Sequence, residues 1–328
     1  MIAKENIVDD YRDLIVSLQD IVSNLDLHVS GVRLAEDEIS VFSSDVTYLD
    51  AFTAYLTQPK IAPVNPRVKI YLIPNEEIRD KSIFSNIKYG HFQDQEISFL
   101  QNSLNRTVEI FDKKKFEFYI ITPMLEQFKD SITSFNLYYL KQILNLLGYV
   151  NMHGAVVGRN DSGIFLANKG GSGKSSLMAY AISQGMHTLG DDFLTVKKSD
   201  VTNFYSLYRH FKLSSTSPAI GIARQNFFEI GQFGEKNVFE ISTQSGGQLR
   251  PTMRVKEVII PYIGNENRVH EISKDEALQR LLPSTLFLNS ANLATIKTVQ
   301  SLVSEIPFYQ MELSLNLHEA FELLDSRL

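Results

Sequence analysis

Ile7, Tyr11, Leu14, Ile15, Leu18, Ile21, Val22 and Leu25 recur at steps of three and four residues. That spacing predicts an opening helix with one apolar face. A packing face is the ordinary use of such a stripe, and a partner-binding face is the alternative. Short β-type runs follow at His28 to Leu34, Glu38 to Ser43, Val68 to Ile73, Ile97 to Leu100, Val108 to Phe111 and Phe116 to Ile121. Asp112-Lys113-Lys114-Lys115 reads as a turn joining the last two into a hairpin, its lysines a solvated tip rather than a phosphate site. Residues 1–125 therefore read as an α+β accessory domain.

From about residue 126 the grain changes, and 126–328 read as a second domain. Ser134 to Leu147 predicts a helix with Leu137, Leu140, Ile143, Leu144 and Leu147 inward and Gly148 as its stop. Ala155 to Val157 and Ile164 to Ala167 are strands joined by the turn-rich Gly158 to Gly163. Leu177 to Ser183 is an amphipathic run ending at Gly185, and Thr188-Leu189 is a short strand. Val255 to Ile263 is a strand. Ser273 and Glu276 form a capping box for a helix through Leu282. Leu293, Ile296, Val299, Leu302 and Val303 line a further helix, Phe308 to Leu313 is a strand, and Leu317 to Leu324 a last helix. There is no internal repeat. Thr243 to Gln248 reads as a mobile loop, either a long turn or a lid.

Between the strand ending at Ala167 and the amphipathic run lies Asn168-Lys169-Gly170-Gly171-Ser172-Gly173-Lys174-Ser175-Ser176. Strand, glycine-rich loop and helix in that order turn consecutive backbone N–H groups toward one anion. In such a loop the lysine, Lys174, reaches the β- and γ-phosphates, and the first hydroxyl, Ser175, meets magnesium. The predicted ligands are a nucleoside triphosphate, ATP, and Mg. The usual pattern opens with glycine where this chain has Asn168, a residue that tolerates left-handed backbone. The bland alternative is a glycine-rich hairpin followed by a surface lysine.

Composition narrows the rest. The chain has 328 residues, enough for about two domains. It is 44% hydrophobic and 21% charged, as soluble globular chains are. A net charge of −6 gives no nucleic-acid footprint. The absence of cysteine removes disulfides, thiolate zinc sites and cysteine nucleophiles, and fits a cytoplasmic location. Met1 to Asp10 lacks the apolar core of a signal peptide, and no apolar run approaches the ~18 residues of a membrane span. No membrane partner is expected. Oligomeric state stays open, with a homo-oligomer as one candidate.

Phosphoryl transfer needs charge neutralisation, alignment and a proton acceptor. Asp191-Asp192 follows the short strand after the loop's helix, and ligands of open α/β sheets gather beyond the carboxyl ends of strands. One acid is placed to bind magnesium and the other to accept a hydroxyl proton; capping the next turn is the alternative. His153, just before the strand that feeds the loop, is a further candidate. Arg250 and Arg254 flank a proline, and either is a candidate phosphate clamp or a surface charge. There is no His-Glu-x-x-His pattern and no Gly-x-Ser-x-Gly elbow.

Met152-His153-Gly154-Ala155-Val156-Val157, Gly163-Ile164-Phe165-Leu166, Gly171-Ser172-Gly173-Lys174-Ser175-Ser176 and Gly190-Asp191-Asp192 together resemble the kinase core of HPr kinase/phosphorylase and its relatives. His153 lies 21 positions before Lys174 and Asp192 lies 18 after it, similar to the family's spacing. Ile306-Pro307-Phe308-Tyr309 before a terminal helix is similar too. The resemblance implies an α/β fold with a phosphoenolpyruvate-carboxykinase-like P-loop kinase core. It implies that Lys174 and the backbone of Gly170, Gly171, Ser172, Gly173, Ser175 and Ser176 hold the phosphates, and that Ser175 ligates magnesium with Asp191 in support. Asp192 would accept the proton, with His153 beside it. The chain departs from the family at Asn168 and Ser176, and Glu229-Ile230-Gly231-Gln232-Phe233-Gly234 only partly matches the family's Glu-Ile-x-Gly-x-Gly, which leaves Glu229 a weak candidate. The expected activity is transfer of the γ-phosphoryl group to a hydroxyl on a protein, peptide or small molecule. A non-catalytic nucleotide sensor and an ordinary P-loop small-molecule kinase are the alternatives.

Overall fold

The computed structural model describes residues 2–54, 56–57, 66–85, 87, 90–102, 106–128, 138–241, 248–289 and 293–328. The chain is mixed α/β and divides into two compact units, Met1–Tyr139 and Leu140–Leu328.

In the first unit the apolar stripe becomes the buried face of helix α1, Ile2–Ser23. Tyr11, Leu14, Ile15 and Leu18 pack on Ile73, Ile97, Phe99, Ile110 and Tyr119. The predicted β-runs form β1 (His28–Leu34), β2 (Asp37–Ser43), β3 (Val68–Pro74), β5 (Ile97–Asn102), β6 (Thr107–Asp112) and β7 (Glu117–Thr122). With the short β4 (His91–Gln93) they make one sheet in the order β1-β2-β3-β7-β6-β5-β4. The β6–β7 hairpin turns as its sequence asks: Asp112 Oδ1 accepts from the N–H groups of Lys114 and Lys115 at 3.0 and 3.1 Å. Helix α2, Val46–Thr53, has no strong periodic stripe; its start is fixed by Asp45, which accepts from Thr47 N–H.

The second unit opens within helix α3, Tyr138–Leu146. The earlier part of the predicted helix, from Ser134, lies outside the described residues, as does most of the Thr243 to Gln248 loop. The main sheet holds β8 (Tyr149–Met152), β9 (Gly154–Arg159), β10 (Ser162–Ala167), β11 (His187–Gly190), β12 (Leu194–Lys197), β13 (Asp200–Ser206), β17 (Thr252–Ile263), β18 (Arg268–Glu271) and β19 (Phe308–Leu313). Its order is β11-β9-β10-β17-β13-β12-β8, with β19 pairing β17 and β18 pairing β19. The long β17 is shared along its length: its first residues pair with β13 and its last with β19, while β10 runs parallel on the other side. A smaller sheet, β14 (His210–Ser214), β16 (Lys236–Glu240) and β15 (Phe228–Phe233), stands beside helix α5, Ile220–Asn226.

Each face of the main sheet is covered. Helices α4 (Lys174–Ser183) and α8 (Leu317–Asp325) bury Leu177, Met178, Ile182 and Leu324 with Ile164 and Leu166. Helices α6 (Lys274–Leu288) and α7 (Leu293–Glu305) bury Leu281, Val299 and Leu302 with Phe165 and Val258. Ser273 caps α6 as predicted, accepting from Glu276 N–H at 3.2 Å. The helix does not stop at Leu282 but runs through Pro283. The proline removes one helical bond, yet tertiary contacts carry the helix past it. Thr285 and Leu288 are buried, and Asn289 donates to the Asn151 and Thr285 carbonyls at 2.7 Å while accepting Asn151 N–H at 2.9 Å.

Candidate functional site

Strand direction brings the two motifs together. β9 is antiparallel to both β10 and β11, so those two run the same way and end on the same side of the sheet. β10 delivers the glycine-rich loop there and β11 delivers Asp191-Asp192. Two strand spacings of about 4.8 Å separate them.

The loop leaves its amides uncovered. Gly170 and Gly171 are exposed, and α4 starts at Lys174 behind Gly173, an N-cap residue with no side chain to bond the first amides. The first N–H groups of α4 are thus left for a ligand, with the positive end of the helix behind them. Gly173 has φ +91, and a Cβ on it would meet Leu313 Cδ1 at 2.8 Å, so glycine is required twice over. Asn168 acts differently from its sequence-based rationale: it is absent from the left-handed residues. Its Nδ2 instead donates to the Pro261 carbonyl at 2.7 Å, and its Oδ1 accepts Lys169 N–H at 2.8 Å. The side chain ties the root of the loop to β17.

Lys174 is 4% exposed and folds back over the loop, donating to the carbonyls of Asn168 at 2.6 Å and Lys169 at 3.1 Å. Its pKa is lowered, by burial first, while Asp191 and Asp192 oppose the shift and Lys236 adds to it. Ser176 hydrogen-bonds Ser217 at 2.7 Å. Its side chain therefore tethers α4 to the turn before α5, and only its amide faces the loop's task.

The acids sit on a strained turn. Gly190 has φ +97 and would drive a Cβ to 2.6 Å from the Tyr208 carbonyl. Phe193 N–H bonds the Asp191 carbonyl at 2.8 Å, closing a three-residue turn around Asp192, whose φ is +67. That handedness is rare for a residue with a side chain, and such strain concentrates at functional sites. Asp191 is 2% exposed, and neither carboxylate oxygen has a hydrogen-bond partner. Burial, then repulsion from Asp192, pushes its pKa up to about 6; Ser175 and Lys174 lie near enough to favour the ionised form. Asp192 goes the other way. Burial would raise its pKa, but Lys212 and His153 outweigh burial and lower it.

His153 Nδ1 lies 3.2 Å from the Asp192 carbonyl. A carbonyl only accepts, so the proton is on Nδ1. Burial, followed by Lys174, lowers the His153 pKa against the pull of Asp192, which keeps the ring neutral near pH 7. Lys212, on β14, places Nζ 3.0 Å from Asp192 Oδ2 and 4.7 Å from the Phe233 ring centroid. Sequence reading missed it. Its only signal was a lysine set between Phe211 and Leu213, where a cation drawn into the core with its apolar neighbours requires a counter-ion.

Two candidates are corrected. Arg254 pairs in register with Ser162, at the start of β10, whereas the loop follows Ala167 at its end. Arg250 Nη2 lies 3.1 Å from His187 Nε2, and His187 Nδ1 lies 3.2 Å from the Asn160 carbonyl in the β9–β10 turn. Both arginines therefore occupy the end of the sheet opposite the phosphate loop and do not clamp phosphate there. Glu229 is exposed on β15 and goes to Arg224 at 3.4 Å. A cleft of about 930 Å³ on the first unit is lined by Asp9, Arg12, Phe92 and Glu96, but Arg12 is already paired with both acids. It brings together no catalytic set.

Among the described residues no group of three or more His, Asp or Glu side chains is arranged to hold a metal, and no helix is long and apolar enough to cross a membrane. No family model matches the sequence, and no curated protein matches it. Among solved structures, the Hpr(Ser) kinase/phosphatase from Coxiella burnetii aligns over 53% of this chain and 90% of that chain, at 11% identity and a TM-score of 0.27. So faint a likeness assigns no family and leaves function to be argued from the side chains.

Proposed function

We propose that this chain is a magnesium- and ATP-dependent phosphotransferase with a hydroxyl acceptor on a protein, peptide or small molecule, built on a P-loop kinase core. One observation carries the reading. The loop ending β10 and the acids ending β11 meet at one end of the sheet, where Lys174, Asp191, Asp192 and His153 all have shifted ionisation and Lys212 pairs with Asp192.

The residues fit both groups. Exposed loop amides and one ammonium suit a polyphosphate. Asp191 offers two buried oxygens with no well-formed hydrogen bond, though Ser175 and the Asp192 N–H lie near enough to favour its ionised form, and a cation would complete them. Magnesium needs only one or two protein ligands when phosphates and water supply the rest; Asp191 and Ser175 would hold it, and it would supply neutralisation of the phosphate charge.

Asp192 is the base. Lys212 holds Oδ2, which leaves Oδ1 to take the acceptor's proton. The hydroxyl oxygen bonds to the γ-phosphorus, the bond from that phosphorus to the β,γ-bridging oxygen breaks, and ADP departs with the electron pair. His153 anchors the Asp192 backbone and so fixes the direction of the carboxylate.

An ordinary P-loop kinase sets its loop strand in a mostly parallel sheet, whereas β10 runs antiparallel to β9; the sheet argues against that alternative. The test is incubation with γ-labelled ATP and extract of the source cells. Wild-type protein is expected to label an acceptor and Lys174→Ala to label none. ATP hydrolysis without any labelled acceptor would support a nucleotide sensor instead.

A further inference from the structure

The acids lie to one side of the phosphate loop, and bare aliphatic side chains lie to the other. A Cβ on Gly173 would meet not only Leu313 but also Ile263 Cδ1, at 3.1 Å. Leu313 is buried, whereas Ile263, the last residue of β17, is 61% exposed. Leu315, two residues beyond Leu313, is 80% exposed. Single exposed aliphatic residues are common on protein surfaces. What distinguishes Ile263 is its position and its fixity. It pairs in register with Leu313, and Gly264 N–H bonds the Leu313 carbonyl at 2.9 Å, so the two strand ends are locked together beside the loop.

Strand order gives the ligand a direction. The acids end β11, β9 comes next, then β10 with the loop, then β17, which also pairs β19. A γ-phosphate must approach Asp192, and the β-phosphate must lie over Lys174 and the start of α4. The α-phosphate and the nucleoside then leave toward β17 and β19, about 5–10 Å on by strand spacing. That is about the reach of one phosphate and a ribose. The surface met there is Ile263 seated on Leu313.

We infer that Ile263, with Leu315 at its rim, is an apolar shelf under the heterocyclic base of the nucleotide. The inference rests on the phosphate-site reading and deepens it: the site selects a nucleoside triphosphate over a bare polyphosphate. The flat face of a base and a branched aliphatic side chain both lose water on contact, and no hydrogen bond is needed for that gain.

Calorimetric titration of the full-length protein with ATP and, separately, with inorganic tripolyphosphate tests the shelf. Ile263→Ser is expected to weaken ATP binding about tenfold, the loss of one buried aliphatic contact, and to leave tripolyphosphate binding unchanged. Leu315→Ser should weaken ATP in the same sense but less, and Ile263→Leu should restore it. Unchanged tripolyphosphate affinity also shows that the variant is folded. If Ile263→Ser leaves ATP affinity at the wild-type value, or weakens both ligands equally, the shelf is refuted while the phosphate site stands. If wild-type protein binds neither compound, the phosphate site itself is refuted, and the shelf with it.

Discussion

Lys212 Nζ stands 3.0 Å from Asp192 Oδ2, a buried cation meeting a carboxylate on a left-handed turn. The pair links the smaller sheet, through β14, to the turn after β11 in the main one. Lys212 would be a buried charge without a partner if it stood alone, and the half-buried Asp192 supplies that partner.

Lys212→Met removes the leading influence that holds the Asp192 pKa below its ordinary value of 3.8. With burial then opposed mainly by His153, the pKa rises, so the acid limb of the pH–rate profile should move to higher pH. Turnover should fall roughly 10- to 100-fold as alignment is lost, and Lys212→Arg should recover part of it. The sign for stability is also set. A carboxylate with a depressed folded pKa stabilises the fold above pH 3.8, and that contribution disappears as pH falls through the depressed value.

Asp192→Asn keeps the shape and removes the base. Transfer should fall by about 10²–10⁴, while the dissociation constant for ATP stays within a few-fold of wild type. Equal loss of transfer and binding, measured by labelling and calorimetry, would remove Asp192 from the role of base.

Asp191 has a folded pKa of about 6 against an ordinary 3.8. For a raised carboxyl, the contribution to stability is full below the unfolded value and is lost as pH rises through the folded one. In chelator, wild-type protein should therefore lose stability between pH 3.8 and about 6, and Asp191→Asn should not. At pH 7.5 the metal-free variant should be the more stable by on the order of 3 kcal/mol. Adding magnesium and ATP should reverse that ranking. Thermal melts across pH, with and without ligand, check both statements.

Asn168→Gly brings the loop closer to the common motif, yet it should bind triphosphate less well. The change deletes the bond to the Pro261 carbonyl and frees the loop's root. A loss of about 1 kcal/mol, roughly fivefold in affinity, is expected by titration. Tighter binding would show that the tie is dispensable.

Asn289→Ala should destabilise the second unit by about 2–4 kcal/mol, because the Asn151 N–H and carbonyl are left buried and unpaired. Denaturant unfolding reads this directly.

Local signals in the sequence were strong where one element satisfies itself. The stripe of α1, the Asp112 turn, the Ser273 cap and the glycine-rich loop each depend on neighbours within a few residues. The Asp191-Asp192 pair was legible for the same reason, since a short strand after the loop's helix delivers it. What sequence could not supply was pairing over distance. The β8, β12 and β13 strands, the β14–β16–β15 sheet and helix α5 carry little periodicity, and their places are set by partners far along the chain. Lys212 reaches Asp192 only because the smaller sheet stands beside the turn. Arg250 and Arg254 went astray because proximity to a strand says nothing about which of its ends faces the ligand. Register decides that, and register is invisible until the sheet is assembled.

The self-bonding of Lys174 has a consequence for selectivity. Two main-chain oxygens already stand in for an anion, so the resting ammonium is solvated by its own loop. A monovalent ion such as chloride offers little beyond what those dipoles provide. A polyanion offers several charges at once and can draw the ammonium away, so the loop discriminates by valence before any part of the nucleoside is sensed.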